Sequence, residues 1–236
     1  MLAVGNSGTA IELYEDHKHK TINLSTRENL RAVSWRPGEN SALIAGNAGT
    51  LLSYSQSSVE SVAGARANLR RISWRPNGHD AVVTSNCFAE EFIPSPNLFA
   101  FDPGRNSLSP VNEGRADFIG ADWKADGSAA FVVGYDIIWH NGYMGIFDGE
   151  HLSSIAFENR RVYPVAVSWN RSTDNAVIAT ATTQPEMGQG MLYVWNGVTP
   201  EPVFKSAKFF FSSVRWNHDG TEFAALASSA TRTFNC

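Results

Sequence analysis

Residues 69–78 read LRRISWRPNG, an apolar-edged run that closes on Trp74 and is followed by the turn dipeptide Asn77-Gly78. Asn-Gly reaches φ > 0 at little cost and reverses a chain within two residues, so the stretch reads as the opening strand of a hairpin. The pattern recurs at Leu30–Trp35 (LRAVSW), Phe118–Trp123 (FIGADW), Pro164–Trp169 (PVAVSW) and Phe211–Trp216 (FSSVRW). Asp126-Gly127 and Asp219-Gly220 close two of these units in the same way; Trp35 is followed by Pro37-Gly38 and Trp169 by Ser172-Thr173-Asp174. The tryptophans are 39, 49, 46 and 47 residues apart, the period of a supersecondary unit that stacks on its neighbours.

Each turn leads into a short apolar run: Ala42–Ala45, Ala81–Val83, Ala129–Val133, Ala176–Ala179 and Glu222–Leu226. A third run ends in an aromatic residue at Tyr54, Phe101, Phe147 and Trp195, and a more polar fourth run follows, as in Val59–Val62 and Leu152–Phe157. Four short strands per unit, separated by Gly and Asx turns, describe the blade of a β-propeller. No stretch carries a 3.6-residue apolar period, so the expectation is an all-β chain with almost no helix. The tryptophans and third-strand aromatics then read as packing between blades. A single domain over residues 1–236 is expected, with units at about 25–64, 65–114, 115–159 and 160–208 and partial units at 1–24 and 209–236. The end pieces overlap in strand type, so either the ring has about six imperfect blades or the chain is cut from a larger ring.

The repeat resembles the WD-repeat family, whose unit has a first strand ending in an aromatic, a Pro-Asp-Gly-like turn, a small-residue second strand and a third strand closing in Trp-Asp. Asp102, Asp148 and Asn196 follow three of the third-strand aromatics here. Ala45-Gly46-Asn47-Ala48-Gly49-Thr50 and Val4-Gly5-Asn6-Ser7-Gly8-Thr9 match the family's second turn and each other. The Gly-His dipeptide that precedes the first strand in the family is missing from every unit, and Ala48 and Ser7 stand where it has the turn Asp. The resemblance implies a propeller that serves as a protein-binding scaffold.

Composition narrows the function classes. A net charge of −4 does not attract nucleic acid or an anionic membrane. Two cysteines and no uninterrupted apolar span fit a reduced, cytoplasmic protein. The six histidines include no metal-ligand spacing, and neither a nucleophile elbow nor a phosphate-binding glycine loop occurs, so no cofactor, metal or catalytic residue is expected. A six-bladed metal-dependent hydrolase would need several channel carboxylates, but the first strands offer only Asp117 and Asp122. A glycan-binding propeller would repeat one aromatic and polar set in every blade, and these loops differ from blade to blade.

Charge placement is more informative. The connections into the first strands (25–31, 64–71, 112–118, 158–163 and 204–211) hold ten of the nineteen Lys and Arg but only four acids. Their net charge of +6 sits in an otherwise acidic chain. In a WD-like propeller these connections ring one mouth of the channel, where Arg31, Arg70, Arg71, Arg115, Arg160 and Arg161 would grip an acidic protein or peptide. The competing reading makes these arginines bridges between blades. The long second-to-third-strand loops reach the same face, with Phe92 and Trp139 as candidate apolar anchors.

Overall fold

The computed structural model describes residues 1–55, 58–62, 66–86, 96–111, 116–136, 141–157, 162–182, 190–206 and 208–228. Arg115, Arg160, Arg161, Phe92 and Trp139 lie outside these residues. Among the described residues there is no helix, and the strands form six antiparallel sheets in chain order. The first holds β1 (Leu2–Val4), β2 (Ala10–Leu13) and β3 (His19–Ile22). The second holds β4 (Leu30–Trp35), β5 (Ser41–Gly46), β6 (Leu51–Ser55) and β7 (Ser58–Ser61). The third runs β8 (Asn68–Trp74), β9 (Ala81–Asn86), β10 (Leu98–Asp102) and β11 (Ser107–Pro110). The fourth runs β12 (Ala116–Trp123), β13 (Ala130–Asp136), β14 (Asn141–Phe147) and β15 (Leu152–Ile155). The fifth runs β16 (Val162–Trp169), β17 (Ala176–Thr182), β18 (Gly190–Trp195) and β19 (Pro200–Ser206), and the sixth holds β20 (Phe210–Trp216) and β21 (Phe223–Ser228). Within each sheet every strand pairs with the next in sequence, a propeller-like arrangement of meanders.

One cross-strand row recurs in four sheets. Trp35 pairs with Ala42 and Ala42 with Tyr54, and the same register joins Trp74–Ala81–Phe101, Trp123–Ala130–Phe147 and Trp169–Ala176–Trp195. Alanine on the middle strand leaves room for the flanking rings to meet above it. They do so edge to face, with centroids 6.1, 5.8, 6.0 and 5.4 Å apart. Such pairs add roughly 0.5–1.5 kcal/mol beyond the area they bury. In the sixth sheet Phe223 takes the alanine position and stacks on Trp216 itself at 5.1 Å.

The Trp-bearing strand of each of these five sheets lies at a sheet edge and carries a β-bulge at one shared place, four residues before the tryptophan. The two matching turn sequences also fold alike. Ser7 and Gly8 take φ of 54° and 70°, and Ala48 and Gly49 take 52° and 72°. At Gly8 a Cβ would collide with the Thr26 carbonyl, so glycine is required there.

Neighbouring sheets are tied at both ends of this edge strand. At the start of the strand, the N–H groups of Ser7 and Ala48 donate to the side chains of Asn29 and Asn68 at 3.0 and 3.1 Å. Asn97 donates to Asp117 Oδ1 at 3.0 Å, and Asp117 occupies the place of Asn29 and Asn68 in its own repeat. These bonds join units that lack the Gly-His dipeptide and the turn Asp. At the tryptophan end, the indole N–H of Trp74 donates to the Ser34 carbonyl and that of Trp123 to the Ser73 carbonyl, at 3.2 and 3.0 Å. The next two junctions use the tryptophan backbone instead. Trp169 N–H donates to Asp122 Oδ2 at 2.8 Å and Trp216 N–H to Ser168 Oγ at 3.3 Å. In all four cases the acceptor belongs to the residue before the preceding sheet's tryptophan.

Residues just after the tryptophans add a second tie. Arg36 donates to the Gly78 carbonyl at 2.7 Å, Arg75 lies 4.3 Å over the Trp123 ring, Lys124 pairs with Asp174 at 2.7 Å, and Asn170 donates to the Gly220 carbonyl at 2.8 Å. Packing runs from the first sheet to the sixth in chain order. Among the described residues β1 pairs only with β2 and β20 only with β21, so the two ends share no sheet and no closed ring is found.

The indole nitrogens separate the junctions experimentally. Those of Trp74 and Trp123 are bonded, whereas that of Trp169 is buried without a hydrogen-bond partner among the described residues. We expect Trp74→Phe and Trp123→Phe each to lower unfolding free energy by about 1 kcal/mol more than Trp169→Phe, because only the first two break a bond. Denaturant titration of the three variants checks this, and equal losses would refute it.

Candidate functional site

The strand register places the two ends of the structure. Leu30 pairs with Gly46, so the connection into each Trp-bearing strand emerges at the same end as the second-to-third-strand turn. Seven of the ten basic residues counted in the connections are described: Arg27, Arg31, Arg66, Arg70, Arg71, Lys205 and Lys208. All are exposed except Arg70, which is half-buried. None of the seven forms an ion pair among the described residues; the ion pairs there belong to other cations, such as Arg75 with Asp80 and Lys124 with Asp174.

Arg31 and Arg70 are the two bulge residues of β4 and β8. A bulge inserts an unpaired residue and re-aims its side chain. Each of these arginines then bonds an asparagine sixteen positions on: Arg31 Nε donates to Asn47 Oδ1 at 3.2 Å and Arg70 Nε to Asn86 Oδ1 at 2.9 Å. Both bonds stay within one sheet. Bridging between sheets falls instead to Arg36, Arg75, Lys124 and Asn170, just outside the counted connections. Their signal in the sequence was the position directly after each tryptophan.

The two guanidinium groups are close enough to influence each other. Burial, and then repulsion from Arg31, hold Arg70 below the ordinary arginine range, while Asp117 and Tyr135 pull it back up. Asp117 is fully buried beneath them and bonded to Asn97. An Asn on each guanidinium orients it without neutralising it, which leaves the remaining N–H groups for an incoming acceptor.

Arg71 departs from its neighbour. Lying on the other side of the bulge, it lines a central cavity of about 880 Å³ bounded by all five Trp-bearing strands. Arg171, Arg215 and Asp122 line the same cavity. Asp122 is held above the usual carboxylate range chiefly by burial; the Trp169 N–H, Arg215, Arg171 and Ser168 oppose that shift without cancelling it.

Among the described residues no three His, Cys, Asp or Glu side chains converge to hold a metal ion. Among them, too, no helix is long and apolar enough to cross a membrane. His17, in a turn at φ 63°, and His19, opening β3, do not share a strand. No family model matches the chain, and no curated protein matches it in sequence.

Asp122 gives a pH test. Its folded-state pKa lies above that of an unfolded aspartate, so the folded protein holds this proton more tightly. Stability therefore falls as pH rises through the interval between the two values. Asp122→Asn keeps an oxygen for the Trp169 N–H and removes the buried charge. We expect the variant to melt higher at neutral pH and to lose part of the decline in Tm that sets in above the ordinary aspartate range. A series of calorimetric melts checks this; a lower Tm at neutral pH would mean that the ionised carboxylate is a net stabiliser.

Proposed function

We propose that the chain is a non-catalytic binding scaffold, a WD-like propeller that recognises an acidic protein or peptide on the face where the connections into the Trp-bearing strands emerge. The observation that carries this reading is the set of six basic side chains in those connections, Arg71 apart, with no acid partner among the described residues. A chain of net charge −4 has acids to spare, so cations used only for structure would be expected to find some of them. The arginines instead bond neutral asparagines, which fixes their direction and keeps their charge.

Arg31 and Arg70 form the centre of the proposed surface. The sequence places Arg115, Arg160 and Arg161 in equivalent connections, with Phe92 and Trp139 in the neighbouring loops as apolar anchors. Planar guanidinium groups suit carboxylates or phosphates bidentately, better than a lysine ammonium would. The proposed location is the cytoplasm.

Attraction at such a surface is screened over about 8 Å at physiological ionic strength. An acidic peptide, for which poly-glutamate of defined length is a practical probe, should bind with an affinity that drops steeply from low to moderate salt. Arg31→Glu with Arg70→Glu should reduce the affinity by at least about tenfold at low salt, by reversal of two close charges. The loss of two partly exposed hydrogen bonds to asparagine should cost no more than about 1–3 kcal/mol of stability. Titration calorimetry beside a thermal melt reads both quantities. If the double variant unfolds at ambient temperature, or binds the peptide unchanged, the reading is wrong.

A further inference from the structure

The central cavity poses a separate question, because its charge is not explained by the scaffold role. Arg71 reaches it from β8, Arg215 from β20, and Arg171 from the turn after β16. All three side chains are exposed to solvent, and none forms a hydrogen bond or ion pair with another described residue. The acid in the same wall, Asp122, lies near enough to Arg171 and Arg215 to feel their charge but is also bonded across two sheets. Its Oδ2 accepts the Trp169 N–H at 2.8 Å, and Ser168 bonds it as well. Ser34 and Ser73 also line the space. The lining thus holds three arginines against one aspartate already engaged in joining two sheets.

The walls are concave and built from strands, so field lines concentrate in the cavity rather than spreading into solvent. Three forks arriving from different sheets match an anion with several oxygens pointing in different directions, which a phosphoryl group provides and a lone carboxylate does not. The volume, about 880 Å³, is near the upper end of small-molecule sites (roughly 300–1,000 Å³) and far exceeds what a bare oxyanion fills. One wall supplies an apolar counterpart. Trp35 is 37% exposed, the most exposed of the five repeat tryptophans, and it borders the cavity. Its ring is uncovered because the first sheet offers no Trp-bearing strand to pack beside it.

We infer that this cavity is a binding site for a small organic phosphate, a phosphomonoester whose anionic head is held by Arg71, Arg171 and Arg215 and whose apolar or aromatic part lies against Trp35. The site is independent of the acidic-partner surface. Arg70 and Arg71 are consecutive residues, but the bulge in β8 sends only the second to the cavity.

Phenyl phosphate is a suitable probe, with phenol and inorganic phosphate as controls at constant ionic strength. Calorimetry should show saturable one-to-one binding of phenyl phosphate, weaker binding of inorganic phosphate and none of phenol, with binding of phenyl phosphate altering tryptophan fluorescence. Arg171→Ala with Arg215→Ala should weaken phenyl phosphate at least about tenfold. These side chains are exposed, so the melting temperature of the ligand-free variant should be nearly unchanged, and Arg215→Ala alone gives a milder version of the same test. Arg31→Glu with Arg70→Glu should leave phenyl phosphate binding intact while lowering affinity for the acidic peptide, so the two proposals can fail separately. Absence of saturable binding, unchanged affinity in the Arg171/Arg215 variants, or equal affinity for phenol would each overturn the inference.

Discussion

Each repeat has to accommodate an indole ring at the end of its edge strand, and most of the structure follows from how that is done. A small residue on the next strand leaves the ring room to meet a second ring across it; only in the sixth sheet does a bulky residue, Phe223, stand there. In four sheets the next strand therefore places alanine opposite it, and the third strand brings an aromatic residue to meet it. Side chains alternate between faces along a strand, so sliding any strand by one residue would turn this row to the other side of the sheet. The Trp–Ala–aromatic row thus fixes the register of three strands at once. It also brings the indole edge, or the N–H beside it, within reach of the preceding sheet.

The contact between sheets is then made through the residue before each tryptophan. Where that residue is serine at 34 or 73, its carbonyl takes the indole N–H of the next sheet. Where it is Asp122 or Ser168, the side chain reaches further and takes the backbone N–H, leaving the indole of the next tryptophan without a partner among the described residues. The same geometric job is done by two chemistries. The second carries a cost of about 1–3 kcal/mol for the buried orphan donor, and at Asp122 the burial of a charge is added to it.

Much of this was legible in the sequence. The tryptophan period, the turn dipeptides and the small-residue second runs predicted the strands and their order, because those features act through local backbone conformation and a two-residue alternation. The aromatic ends of the third runs were legible as packing for the same reason. The links between sheets were not. Asn29, Asn68 and Asp117 share a position six residues before their tryptophans, but nothing local distinguishes an asparagine that joins two sheets from one facing water. The charge count found a basic set of connections, yet counting cannot tell Arg70 from Arg71, since the bulge that separates them depends on pairing with β9. Ring closure was equally out of reach, because it depends on contacts between residues more than two hundred positions apart.

That bulge is the last step in connecting sequence to site. In a regular strand Arg70 and Arg71 would point to opposite faces of the sheet simply because they are neighbours. The extra residue changes what those faces are. Asn86 bonds Arg70, Arg31 lies near enough to repel it, and regular pairing resumes at Arg71, which lines the central space. The same irregularity occurs in all five Trp-bearing strands, but the residue it presents differs: Arg31, Arg70, Ile119, Val165 and Ser212. The backbone therefore repeats one irregularity; Val165 and Ile119 use it for packing in a core cluster, whereas in two adjacent sheets the sequence loads it with arginine. A repeat that needed these positions for packing alone would fill them alike. Placing two like charges side by side carries a repulsion that stability does not require, and a negatively charged partner would relieve it.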